Sequence, residues 1–128
     1  MAQAREEDLT AALFGEHPHV FCHLAELDGE VIGMALWYVN FSTWTGNSGM
    51  YLEDLYVREE HRGQGAGGAL MKELARLCVA RGYGRFEWSV LDWNTPSIDF
   101  YRSLGARPLD EWTTYRLHGD ALSAYAHH

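Results

Sequence analysis

The stretch "YLEDLYVREEHRGQGAGGAL", residues 51–70, decides how this chain is read. Its opening run, Tyr51–Val57, is rich in β-prone aromatic and branched residues and reads as a strand. Glycines at 63, 65, 67 and 68 follow, and beyond Gly65 the apolar residues Leu70, Leu74, Leu77 and Cys78 recur at helical spacing until Gly82. Arg76 and Arg81 stand near the expected negative end of that helix. A strand that turns through glycines into a helix is an anion site by construction. The first amides of the helix lack partners, the helix dipole adds positive potential, and glycine admits a phosphate close to the backbone. Two glycine signatures fit poorly. A P-loop requires Lys and then Ser or Thr after its last glycine, and none follows Gly67 or Gly68. GxGxxG matches Gly63, Gly65 and Gly68 formally, but no first strand of a parallel half precedes it, and Glu87 lies inside a strand rather than at its end.

Working outward, "EEDLTAALF" predicts a short amphipathic first helix through Leu9 and Leu13, closed by Gly15 and Pro18. "VFCHLAEL" and "EVIGMALWYVNF" flank Asp28-Gly29 and predict a hairpin. The second of these is apolar almost throughout, as a strand covered on both faces would be. "STWTGNSG" is expected to loop out to the strand "MYLEDLYV". After the long helix, "GRFEWSVLDW" predicts a strand. "NTPSIDFYRSLGA" predicts a helix with Asn94 or Thr95 as cap, Pro96 at its first position and Gly105 past its end. "WTTYRL" predicts a last strand and "GDALSAYA" a terminal helical turn or two. The sum is an α/β (α+β) chain with a mixed sheet flanked by helices, and one domain over residues 1–128.

With 18 acidic against 10 basic residues the formal charge is −8, which argues against a nucleic-acid footprint and favours a cationic small partner wherever the acids gather. Cys22 and Cys78 have no paired or CxxC spacing, so neither a disulfide scaffold nor a zinc site is expected, and a reducing cytoplasm suits them. His17, His19 and His23 lie in a loop-to-strand passage, His61 and His118 are isolated, and His127 and His128 end the chain, so no metal is expected. No apolar run approaches the roughly 20 residues of a membrane span, and "MAQAREEDLT" does not resemble an export signal.

Arg62, Gly65 and Gly67 match the R/Q-x-x-G-x-G/A pyrophosphate motif of the GCN5-related N-acetyltransferases (GNAT). "FGEHP", "NFSTWTG", "YLEDLYV", "RGQGAGGAL", "EWSVLDWN", "SIDFYRSLGA" and "DEW" resemble that family's diamine (spermidine/spermine) and thialysine N-acetyltransferase branch, from Phe14 to Ala124. The resemblance implies a V-shaped mixed sheet with acetyl-CoA in the split between central strands, and a homodimer. It implies cofactor contacts along Leu55, Tyr56 and Val57, through Arg62, Gly63, Gln64, Gly65, Ala66, Gly67 and Gly68, and at Asn94, Ser97 and Tyr101. Members usually open with a further strand and helix that this chain lacks, so the substrate wall is expected to be incomplete or completed by a partner chain.

Acetyl transfer to an amine needs a deprotonated nucleophile, donors for the developing oxyanion and a proton for the leaving thiolate. Glu53 and Asp54 are adjacent acids in an apolar strand, where strict alternation puts them on opposite faces, Glu53 with Tyr51, Leu55 and Val57. By resemblance, Glu53 meets the substrate amine and acts as base, with Asp54 nearby, and Tyr101 is the general acid. From spacing alone Tyr101 is equally a core aromatic, as Phe100 is expected to be, and Asn94 equally a plain helix cap. Trp44, Glu16, Asp92, Trp93 and Glu111 supply carboxylates and rings suited to a polyamine chain. These residues predict an acetyl-CoA-dependent N-acetyltransferase of small cationic amines. The alternative is a shortened homologue that binds acyl-CoA without turnover.

Overall fold

The computed structural model describes residues 7, 13–16 and 18–127, so most of the first predicted helix, and His17, lie outside the described residues. Strands β1 (Phe21–Leu27), β2 (Glu30–Ser42), β3 (Asn47–Val57) and β4 (Phe86–Glu87) form a sheet in the order β1-β2-β3-β4. The first two pairings are antiparallel and β3–β4 is parallel, so the sheet is mixed as expected. Three helices follow in the chain: α1 (Ala66–Ala80), α2 (Thr95–Ser103) and α3 (Gly119–Ala126).

Asp28 (φ 52°) and Gly29 (φ 82°) both adopt positive φ, the geometry of a tight turn whose twist matches the flanking strands, and β1 and β2 form the predicted hairpin. The expected loop over "STWTGNSG" is shorter than predicted. Strand pairing resumes at Asn47, opposite Ser42, and Gly46 N–H closes the turn on Ser42 O at 2.8 Å. Polar Asn47 and Ser48 conceal this strand in the sequence because β propensity yields to a cross-strand partner.

Contacts divide the chain into two compact units, Met1–Ser89 and Val90–His128. In the first, α1 packs on β1, β2 and β3. Ala35, Trp37, Met50 and Leu52 of the sheet meet Leu70, Met71, Leu74 and Cys78 of the helix, all buried. Gly33 permits the approach, since a Cβ there would lie 2.9 Å from Tyr56 O and 3.5 Å from Leu70 Cδ1. The helix ends at Gly82 as predicted. With φ 73°, it lets its own N–H reach Val79 O and that of Tyr83 reach Cys78 O, satisfying the last carbonyls.

In the second unit, Asn94 caps α2 by accepting from Ser97 N–H at 3.3 Å, and Gly105 (φ 90°) follows its last turn. One strand prediction is cut short and one fails. "GRFEWSVLDW" pairs only at Phe86–Glu87, and "WTTYRL" forms no strand among the described residues. Residues 112–117 are all exposed and have no neighbouring strand to complete a ladder, so β-prone composition alone does not make one.

Candidate functional site

The ladder between β2 and β3 breaks at one residue. Leu36 pairs with Asp54 and Trp37 with Leu52, so Glu53 has no partner and forms a bulge. This corrects the expected faces. Leu55 stands opposite buried Ala35 and Leu52 opposite buried Trp37, so Leu52, Leu55 and Val57 share the α1 side. Leu55 and Val57 therefore do not share a face with Tyr51, as the alternation through Glu53 predicted. Asp54, opposite Leu36, stands on the other side with Tyr51 and Tyr56, and both Glu53 and Asp54 are exposed.

The edge of β3 is paired with β4 only at Met50 and Tyr51. From Leu52 to Val57 that edge carries no strand among the described residues, which leaves the backbone of Leu55, Tyr56 and Val57 without a ladder partner on that side. An Arg85-centred cluster ties the strands on the closed side of this parting. Its Nε donates to Glu87 Oε1 at 2.9 Å, Nη2 to Asn40 Oδ1 at 2.8 Å and Nη1 to Asn47 O at 3.3 Å. Sequence reasoning missed Arg85 because the cluster joins residues far apart in the chain.

The open edge leads through a 3₁₀ turn, Glu59–His61, into the glycine segment. Gly65 is the N-cap of α1 with φ 89°, no side chain caps the helix, and its first turn holds no acidic residue. The helix dipole is left uncompensated at that end. Val57, His61, Arg62, Gly63, Gly65, Ala66, Gly67 and Gly68 line a cavity of about 230 Å³. A Cβ on Gly63 or Gly65 would meet nothing within 4 Å, so these glycines serve the backbone turn, with φ 79° and 89°, rather than packing. His61, expected as an isolated histidine, lines the cavity, and its Nδ1 is buried without a partner. Arg62 Nε donates to Val57 O at 2.9 Å and its guanidinium lies 5.6 Å from the Tyr56 ring centre, so part of its role is to tie the turn to β3. Uncapped amides, an orphaned imidazole nitrogen and a lining free of carboxylates fit a diphosphate such as that of CoA.

His61 also approaches Glu30 and Glu60, a set of potential metal ligands, all within 4.8 Å of one another, that spacing in the chain did not reveal. Glu30 is engaged by Arg58 at 2.7 Å and both glutamates are exposed, as in an ordinary surface ion-pair cluster.

On the face turned away from α1, Tyr38 and Tyr51 stack with ring centres 5.2 Å apart, and the Tyr51 hydroxyl and Ser89 Oγ are hydrogen-bonded at 2.6 Å. Cross-strand pairing was the signal for this pair, and it depends on the register that the bulge sets. Trp44 is 95% exposed at the β2–β3 turn, at the far end of the hairpin from the glycine segment, and Glu16 is exposed ahead of β1.

In the second unit, Asn94, Ser97 and Tyr101 belong to α2 and its cap, with Asn94 and Ser97 joined by the capping bond. Burial raises the Tyr101 phenol above its ordinary value. Phe100, expected in the core, is 41% exposed and contacts the Tyr101 ring at 5.8 Å. Asp92, Trp93 and Glu111 are exposed. Among the described residues no helix is long and apolar enough to cross a membrane.

Residues 2–106 match the Acetyltransferase (GNAT) family. The chain is 42% identical over 132 residues to thialysine N-epsilon-acetyltransferase of Sus scrofa, spanning 94% of this chain and 77% of that protein. It is 30% identical over 125 residues to spermidine/spermine N(1)-acetyltransferase-like protein 1 of Homo sapiens, spanning 90% of this chain and 18% of that one. An integron cassette protein from the mobile metagenome of V. cholerae superposes with a TM-score of 0.81 at 32% identity, over 96% of this chain and 78% of that one. With its mixed sheet, parted β3–β4 edge and uncapped glycine turn, the chain belongs to the GNAT family and is an N-acetyltransferase.

Proposed function

We propose that the chain transfers acetyl from acetyl-CoA to the primary amine of a small cationic substrate, a polyamine or a thialysine-like side chain, by direct attack. One observation carries this proposal: the open edge of β3 leads, through the short 3₁₀ turn Glu59–His61, into the uncapped, carboxylate-free turn at Gly63–Gly68. Acetyl-CoA, when bound, supplies the activated thioester. The amides of Gly65, Ala66, Gly67 and Gly68 hold its diphosphate, with Arg62, Gly63 and Gln64 shaping the turn, while Leu55, Tyr56 and Val57 orient the acyl arm along the β3 edge. Asn94 and Ser97 contribute from the start of α2.

Glu53 holds the substrate ammonium and takes up its proton, directly or through water, so that the free amine attacks the acetyl carbonyl. Tyr101 returns a proton to the departing sulfur. The phenol is protonated at neutral pH and so has a proton to give. Asp54, Trp44, Glu16, Asp92 and Glu111 add negative charge and aromatic surface for the rest of the cation. The enzyme acts in the cytoplasm as a homodimer.

The test is thiol release from acetyl-CoA with a panel of spermidine, putrescine, thialysine, lysine and a lysine-free peptide whose only amine is its N-terminus. Turnover with the small amines and not with the peptide is expected. Tight CoA binding without release for any amine would leave only a cofactor sensor.

A further inference from the structure

We propose that the stacked pair Tyr38 and Tyr51, beside the Glu53 bulge, is the wall that selects the amine substrate, receiving a primary ammonium carried on an alkyl chain with its methylenes and charge against the ring faces. The inference rests on the amine acetyltransferase assignment above and identifies specificity residues for it.

The two tyrosines are cross-strand partners on β2 and β3, with ring centres 5.2 Å apart and ring planes 29° apart. They differ from the aromatic residue next to them. Trp37 faces α1 and is 1% exposed, whereas Tyr38 and Tyr51 stand on the opposite face and remain partly accessible. A pair that served the core alone would be closed like Trp37. Glu53 follows Tyr51 by two residues at the unpaired bulge. Its charge reaches Tyr38: the phenol is held above its ordinary pKa by burial first, then by Glu53 and Tyr51. A neutral phenol face attracts a cation, and a carboxylate at its edge fixes the cation's position.

The wall is braced from the far side. The hydrogen bond between the Tyr51 hydroxyl and Ser89 Oγ lies just past the last β3–β4 pair, Tyr51 with Glu87, where the strands part. The stack is therefore held at the mouth of the parting, next to the edge that orients the acyl arm. Hydrophobic rings adjoining two exposed carboxylates, Glu53 and Asp54, match an amine on a methylene chain better than a neutral or anionic acceptor.

The competing explanation is a cross-strand aromatic pair that only stabilises the sheet. Steady-state kinetics with the best amine of the panel separate the two. Tyr38→Leu is expected to raise the amine KM about tenfold, the order of one cation–π contact, with the acetyl-CoA KM within about twofold of the parent. Tyr38→Phe, which keeps the ring, is expected to restore the amine KM to within about twofold. An unchanged amine KM in Tyr38→Leu, or an equal loss in Tyr38→Phe, overturns the proposal. Should Tyr38→Leu fail to fold, Tyr38→Met keeps the apolar volume without a π face and carries the same comparison. Failure of the parent protein to release thiol with every amine of the panel would sink the proposed amine acetylation and the wall with it. Turnover with unaltered variants sinks only the wall.

Discussion

The two compact units are held by different physics. Every buried hydrophobic side chain among the described residues, from Ile32 to Cys78, lies in Met1–Ser89, where α1 covers one face of the sheet. Val90–His128 has none, and its order comes from local devices: the Asn94 cap, the turn at Gly105 (φ 90°) and the backbone bonds that close α2 on Tyr101 O. The glycine turn proposed to hold the cofactor is thus built on the unit with a core, which suits a site that must hold its amides in place without a ligand. The proposed acid, Tyr101, is carried by the unit that depends on caps, so its position is easier to perturb than that of Glu53.

Three substitutions probe this contrast. Tyr101→Phe is expected to lower kcat by roughly 10²- to 10⁴-fold, the usual worth of a positioned acid, while acetyl-CoA affinity by calorimetry stays within about twofold. Parental kcat would assign Tyr101 to packing alone. Leu74→Ala, at a side chain with 0% exposure, is expected to cost about 2–5 kcal/mol in denaturant unfolding. A cost below about 1 kcal/mol would mean that the α1–sheet core is not what holds the first unit. Asn94→Ala is expected to cost about 1 kcal/mol through the lost cap, read as faster hydrogen exchange in α2 with α1 unaffected. Equal acceleration in both helices would show that the units unfold together and erase the distinction.

Local rules sufficed where one short segment carries its own geometry. Asp28-Gly29 announced the hairpin, Gly82 the end of α1, and Asn94 with Gly105 the two ends of α2, each because a positive φ or a capping oxygen is a property of that residue. They failed where partners decide. Asn47 and Ser48 extend β3 because Ser42 and Phe41 lie opposite, and residues 112–117 are not a strand for want of a partner. The site divides in the same way. The glycine turn was legible from residues 62–68, whereas the lining role of His61, the Arg85 cluster and the Tyr38–Tyr51 stack were not, since each joins groups that only folding brings together.

The sequence by itself determined a strand running into a glycine turn and an amphipathic helix, with two acids just before the turn, because period, propensity and backbone freedom are local. Only the tertiary structure decided how the residues around those acids divide between the two faces of the sheet. A one-residue mismatch between β2 and β3 leaves Glu53 unpaired and returns Leu55 and Val57 to the core side, and such a slip depends on what lies across the ladder.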